Sequence, residues 1–187
     1  TGDITLNVTN GALTGNAADL VLAFAGNVTT HTGAVTISDA PNVAQLKTIN
    51  AATTGDITLS VTNGALSGNA ADLVLAFAGN VTTHTGTVTI TDAPNVAQLK
   101  TINAATTGDI TLNVTNGALS GNAADLVLAF AGNVTTHSGV VTIEDVPNIT
   151  QLKAINSATT GDIILSSPAQ AYSDTAANLA VAFAGST

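Results

Sequence analysis

The sequence predicts an α/β solenoid with parallel strands on one wall and helices on the other. Three observations predict it: near-identical copies recur every 53 residues, short alternating apolar segments begin each copy, and stretches with helical spacing follow them. A fixed period of this length is typical of solenoids and arrays. Strands that run in one direction and are joined by helices are connected by right-handed crossovers. We therefore expect right-handed coils that all advance the same way.

The repeats set the domain organisation. Residues 54–106 differ from residues 1–53 at only four positions, residues 107–159 drift further, and residues 160–187 begin a partial copy that diverges after Leu165. We expect one solenoid domain over residues 1–187, with repeats 1–53, 54–106 and 107–159. Because the chain has no initiator methionine and opens in mid-pattern, we also expect it to be a fragment of a longer protein.

A series of glycines divides each repeat into two coils. Its steps alternate between 31 and 22 residues, and its members are Gly2, Gly33, Gly55, Gly86, Gly108, Gly139 and Gly161. The pattern indicates a long coil, residues 2–32 and their equivalents, and a short coil, residues 33–54 and their equivalents. About seven coils are expected, each beginning with a strand.

The strands follow from alternation. Ile4, Leu6 and Val8 point to one side, and Val35 and Ile37 repeat the pattern in the short coil. One strand face should therefore be buried and the other solvated, since a sheet covered on both faces would show a continuous apolar run.

The helices follow from spacing and end signals. In "NAADLVLAFAG", Asn16 is a candidate N-cap and Gly26 a candidate terminating glycine. In "DAPNVAQLKTIN", Asp39 is the candidate cap and Pro41 lies near the first turn.

Composition excludes several functional classes. Only 8% of residues are charged, the net charge is −9, and the three basic residues are all lysine. This balance argues against nucleic acid and against an anionic membrane surface. Without cysteine there is no disulfide framework and no thiolate metal site. The longest apolar run, "LVLAFA", is too short to span a bilayer, so we expect no membrane insertion.

Threonines define a candidate ligand face. One continuous row is expected on the exposed strand face: Thr5, Thr36, Thr58, Thr89, Thr111 and Thr142. Such a face is a candidate binding surface for protein, glycan or ice. The competing interpretation is that threonine is a good β-former whose hydroxyl keeps an exposed strand soluble. Ile164 interrupts the row in the last copy.

Carboxylates form three further columns. The first follows the glycine series and contains Asp3, Asp56, Asp109 and Asp162. Calcium is the functional alternative there, since it takes several oxygen ligands, although the "GGxGxDxUx" nonapeptide of calcium β-rolls is absent. Otherwise we expect no cofactor. Asp19 and its copies should be solvated first-turn acids, whereas Asp39 and its copies should cap their own helices.

The histidines also form a column. His31, His84 and His137 lie 53 residues apart, which is two coils or about 9.6 Å along the stack. That distance is too large for them to share one metal ion, so each is interpreted as a loop histidine copied with its repeat. Asn50 and its copies should satisfy loop backbone groups between coils. Lys47 and its copies should be single exposed charges.

Enzyme signatures are missing from the sequence, which contains no phosphate-binding glycine loop, no "HExxH" and no "GxSxG". Every candidate residue also occurs three times, whereas an active site is usually singular. We therefore expect a protein that is not an enzyme.

The phrases "ATTGDITL", "VTITDAPNVAQLKTINAAT" and "ADLVLAFAGNVTTHTG" resemble tandem repeats of giant secreted or surface proteins of cyanobacteria and other Gram-negative bacteria, including hemolysin-like exoproteins. The resemblance covers residues 1–165. It implies an extracellular or cell-surface location and a role as a spacer, coat or adhesin segment, with neighbouring repeats as partners and self-association as a further possibility.

Overall fold

The computed structural model describes residues 3–167 and 171–185, and within them seven α-helices alternate with parallel strands. Seven-residue helices lie in the long coils: α1 Ala17–Ala23, α3 Ala70–Ala76, α5 Ala123–Ala129 and α7 Ala176–Ala182. Ten-residue helices lie in the short coils: α2 Val43–Ala52, α4 Val96–Ala105 and α6 Ile149–Ala158. The predicted alternation of strand and helix is confirmed.

The strands form three parallel sheets of three strands each. The first sheet contains β1 Leu13–Gly15, β2 Val35–Ile37 and β3 Ile57–Leu59. The second contains β4 Leu66–Gly68, β5 Val88–Ile90 and β6 Ile110–Leu112. The third contains β7 Leu119–Gly121, β8 Val141–Ile143 and β9 Ile163–Leu165. The fold is therefore an α/β solenoid whose sheets are open.

Each repeat contributes three strand positions, one more than the sequence analysis predicted. Within a sheet, paired residues are 22 positions apart, as in Leu13, Val35 and Ile57. The next sheet begins again at Leu66, nine residues along the same long coil from Ile57. A long coil therefore ends one sheet with its first strand and begins the next sheet with its second. The missed strands are in "ALTG" and "ALSG", where only one apolar side chain marks each strand.

Glycines stack where the coils are closest. A β-carbon on Gly55 would overlap the carbonyl of Gly33, and one on Gly33 would meet the carbonyls of Asn10 and Gly11. The same stack recurs from Gly64. Described members of the glycine series that are 22 residues apart, such as Gly33 and Gly55, therefore lie next to each other in space.

The core lies between the strand wall and the helix wall. It is filled by strand residues such as Val35 and Ile37 and by helix residues such as Leu46 and Ile49, all fully buried. Asparagine side chains cap helices α1 to α6, and Thr175 caps α7. Asn16 accepts from the Asp19 backbone N–H at 2.9 Å, which confirms its predicted capping role. No helix among residues 3–167 and 171–185 is long and apolar enough to cross a membrane.

Candidate functional site

The strand register divides the predicted threonine row into short rows. The first sheet aligns Thr14, Thr36 and Thr58. The second aligns Ser67, Thr89 and Thr111, and the third aligns Ser120, Thr142 and Ile164. Thr58 and Thr89 thus belong to different sheets. A single continuous row was the wrong expectation, because β4 and not β3 pairs with β5.

Thr5 lies apart from these rows. It follows Ile4, whose only described bridge is to Val28, so it lies outside the three sheets. The hydroxyl of Thr29 accepts from the Leu6 backbone N–H at 3.2 Å. Equivalent threonines, Thr82 and Thr135, accept from Leu59 and Leu112. The hydroxyls of Thr82 and Thr135 thus cover the outer edge of β3 and β6, the last strands of their sheets, a role that the sequence analysis did not foresee.

The first aspartate column binds side-chain amides of the next turn of chain. Asn27 donates to Asp3, Asn80 to Asp56 and Asn133 to Asp109, each at 2.9 Å. The residue equivalent to these asparagines for Asp162 is Ser186, outside the described residues. The described part of the chain contains no group of three or more His, Cys, Asp or Glu placed to hold a metal ion. Calcium at this column stays a prediction, since each site offers one carboxylate and one amide.

The prediction that Asp39 and its copies cap their own helices is wrong. Asn42 caps α2 in a capping box with Gln45, with both hydrogen bonds at 2.9–3.0 Å. Asp39 instead accepts from the backbone N–H of Ala17 at 2.7 Å, so it caps the helix of the preceding long coil. Asp92 and Asp145 repeat this contact on α3 and α5. Local spacing could not reveal it, because the donor is 22 residues away.

The lysines of two short coils are paired, contrary to prediction. Lys47 contacts Asp72 and Lys100 contacts Asp125, both at 2.6 Å with the side chains half-buried. The hydrogen bond from the lysine holds the pKa of each aspartate below 3.8. Lys153 meets Asn178 at 2.7 Å in the last coil. Asp19, in the first coil, is the exposed first-turn acid that was predicted.

The asparagine column joins successive coils, as predicted. Asn50 donates to the carbonyls of Ala76 and Ala78 at 2.9 and 2.7 Å. Asn103 does the same for α5, and Asn156 for α7. Carbonyls at the end of a helix lack partners within the helix. The short coil therefore supplies polar groups in both directions, with Asp39 to the coil before it and Lys47 and Asn50 to the coil after it.

The histidines lie in the connection that follows each seven-residue helix, as predicted, but they are buried there, which the sequence did not indicate. Each of the three is 2% exposed. The backbone of His31 bridges Thr53, and its ring lies 6.0 Å from the Phe24 ring, an arrangement that recurs at His84 and His137. Within the described ranges, neither ring nitrogen of any histidine has a hydrogen-bond partner.

Burial lowers the pKa of His84 and His137 below 6.5. The carbonyls of Gly64 and Gly117 act in the opposite direction and more weakly, at contacts that do not reach hydrogen-bond geometry. No charged side chain contributes to either shift. These two buried rings are therefore neutral when the pH is above the ordinary pKa of histidine.

Surface grooves recur with the repeat. One of about 270 Å³ lies beside Phe24, Val28 and Ala52, and one of about 390 Å³ lies beside Phe77 and Val81. The two grooves occupy equivalent positions in successive repeats, so neither is unique to one repeat.

No protein-family model matches the chain, and neither curated proteins nor solved structures give a significant match. The geometry alone therefore defines the class of protein, which is an α/β solenoid of tandem two-coil repeats.

Proposed function

We propose that the chain is a non-catalytic structural repeat module, a spacer, coat or stalk segment of a large extracellular or cell-surface protein. One observation carries the proposal. In each repeat the distinctive polar side chains of the short coil, those of Asp39, Lys47 and Asn50 and their copies, bind the adjoining coils. These contacts join successive coils and recur at the next repeat, so the solenoid lengthens as repeats are added.

The equivalence of the repeat junctions supports this role. The Lys–Asp contact is 2.6 Å at both of its occurrences, and the contacts of Asn50 recur at Asn103. In a solenoid each unit contacts only its neighbours, so identical junctions allow copies to be added without new chemistry. The partners proposed here are accordingly neighbouring repeats.

Recurrence of the candidate groups among the described residues supports the non-catalytic part of the proposal. The histidines, the aspartate columns and the grooves all recur with the 53-residue period. Catalysis needs a nucleophile, acid or base positioned against a reacting group. The carboxylates of Asp39 and Asp72, for example, are engaged by a backbone N–H and a lysine.

Small-angle X-ray scattering on arrays with different numbers of repeats tests the spacer role. Each added copy of residues 54–106 should lengthen the particle by about 10–20 Å, between two strand spacings and two helix spacings. Linear growth of the maximum dimension is the expected result. A dimension that levels off as repeats are added would contradict a role as a spacer.

The extracellular location is tested separately. An antiserum against the chain should label intact cells of the source organism as strongly as permeabilised cells. Labelling only after permeabilisation would contradict a surface location.

The alternative function is a binding module that uses the exposed Thr/Ser/Asn strand face. Replacing Thr36, Thr89 and Thr142 by valine removes one hydroxyl from the middle of each sheet and keeps the side-chain shape. A spacer should keep its length and stability in this variant. If the parent chain inhibits ice recrystallisation or binds a glycan array and the variant does not, the binding module is favoured.

A further inference from the structure

The first long coil is incompletely covered on one side. Ile4 is 53% exposed, whereas the equivalent Ile57 in the second repeat is 2% exposed. Val8 is 69% exposed while Val61 is partly buried. Residue types are the same at these positions, so the difference arises from what lies next to each coil.

In the second repeat the covering element is the short coil of residues 33–54. Its strand β2 pairs with β3, and the Ser60 N–H donates to the Ile37 carbonyl at 2.9 Å. The equivalent N–H of Asn7 has no backbone acceptor among the described residues. The first long coil therefore presents an open strand edge together with its exposed apolar side chains.

The helix of the first long coil carries matching open polar groups. The Asp72 carboxylate pairs with Lys47, whereas among residues 3–167 and 171–185 the equivalent Asp19 carboxylate accepts a hydrogen bond only from the Asn16 side chain. Asn50 donates to the carbonyls of Ala76 and Ala78, and no side chain in residues 3–167 or 171–185 donates to the equivalent carbonyls of Ala23 and Ala25.

A shallow apolar cavity of about 270 Å³ lies in the same coil, and Ala23 contributes to its wall. Its lining includes Ile4, Leu6, Val8, Leu13, Ala23 and Phe24. We call this side of the molecule the first-coil face and define it by Ile4, Leu6, Val8, Leu13, the Asp19 carboxylate and the carbonyls of Ala23 and Ala25.

We propose that the first-coil face is a docking surface for the short coil of another repeat of the same kind within the same polypeptide chain. The partner must bring a parallel strand edge to residues 4–7, a lysine to Asp19, and an asparagine amide to the Ala23 and Ala25 carbonyls. The short coil of residues 33–54 brings all three to the second repeat. The inference deepens the proposed structural role and rests on it.

The last coil of a second copy fits this surface poorly. Residues 161–185 contain no lysine, so they cannot supply the charge that pairs with Asp19. The match is therefore to a short coil and not to the last coil of this chain.

Hydrogen exchange followed by mass spectrometry tests the proposal. The full chain is compared with a version that carries one extra copy of residues 54–106 directly before Thr1, marked by Ser67→Ala in the added copy. The marker separates peptides of the added helix from the identical peptides of residues 66–77 and 119–130, and Thr14 already distinguishes residues 13–24. We expect exchange of residues 13–24 to slow at least about tenfold in the extended chain and to approach that of the peptide shared by residues 66–77 and 119–130. Fast exchange should move to the added first coil.

A matched control extension carries Lys100→Ala and Asn103→Ala in the added copy only. It should protect residues 13–24 less than the unmodified extension does. Equal protection by both extensions, or unchanged exchange in both, would overturn the proposed recognition. Protection that rises with concentration in the unextended chain would assign the surface to a second copy instead, and would also overturn it. None of these outcomes depends on the scattering test of length, so either proposal can fail alone.

Discussion

The third long coil, residues 108–138, and the last coil, residues 161–185, differ in which neighbours they have. On the side that faces the preceding short coil, the two coils are equally buried, because Ala129 and Ala182 are both fully buried. On the other side they differ: Phe130 is 8% exposed and Phe183 is 38% exposed. A coil of this solenoid therefore gains part of its core from each neighbour, and its own sequence does not complete its burial.

The last coil packs a different ring against its phenylalanine. Tyr172 lies 5.5 Å from Phe183, edge to face, where Phe130 instead has His137 at 5.9 Å. Thr175 takes over the capping position that Asn122 holds in α5. The last coil thus keeps the helix and its apolar spacing, and it covers its aromatic ring less completely.

The largest expected effect on the free energy of unfolding comes from truncating a core leucine in each of the two coils. Leu126→Ala should lower the free energy of unfolding by about 3–5 kcal/mol, because Leu126 is fully buried and the side chain leaves a cavity. Leu179→Ala in the half-covered last coil should cost about 1–2 kcal/mol. Urea unfolding followed by circular dichroism measures both. Equal losses would show that the two coils are buried to the same extent.

The next effect comes from the asparagine between coils. Asn103→Ala removes the donor to the Ala129 and Ala131 carbonyls and should lower the free energy of unfolding by about 1–3 kcal/mol. Asn156→Ala is the matched change before the last coil, where the amide reaches the Val181 and Ala184 carbonyls. We expect the second loss to be smaller, since those carbonyls lie in the more solvated coil. The reverse order in urea unfolding would contradict this account.

An intermediate effect is expected from acid, because His84 and His137 are core groups and the last coil has no histidine. Their pKa values are lowered from 6.5 by burial. The unfolded chain therefore binds more protons than the folded chain at mildly acidic pH, and stability falls as the pH drops below about 6.5. Urea midpoints at neutral and mildly acidic pH measure the fall.

The variant that carries His84→Leu and His137→Leu is the control for that effect. Its stability should decline less over the same pH interval, since both neutral rings are gone. An unchanged decline would assign the acid sensitivity to other groups, such as the carboxylates.

The smallest effect is expected at the ion pair. Asp125→Asn gives α5 the amide that α7 has at Asn178, and should cause a slight loss of stability at low salt that disappears at high salt. The contribution of Asp125 is present above pH 3.8 and is lost as the pH falls through its lowered pKa. A loss that is independent of salt would show that packing, and not charge, distinguishes the two contacts.

Much of the fold could be predicted from the sequence. Repeat length, the helix segments, the Asn16 cap and the bridging role of Asn50 follow from period, spacing and side-chain chemistry. The third strand position could have been found from the 22-residue step that relates Gly11 to Gly33 and Leu13 to Val35. It was missed because a three-residue strand with a glycine has too little alternation to be recognised.

Other assignments needed the coordinates. The target of Asp39, the pairing of Lys47 and the burial of His31 all depend on which segments are adjacent in space. Repeat period and local chemistry determined that the chain forms stacked α/β coils, since each residue type acts through its own helix or strand. Only the tertiary structure decided where each sheet ends and which coil each polar side chain serves. Those features come from contacts between residues at least 20 positions apart, and local spacing carries no information about them.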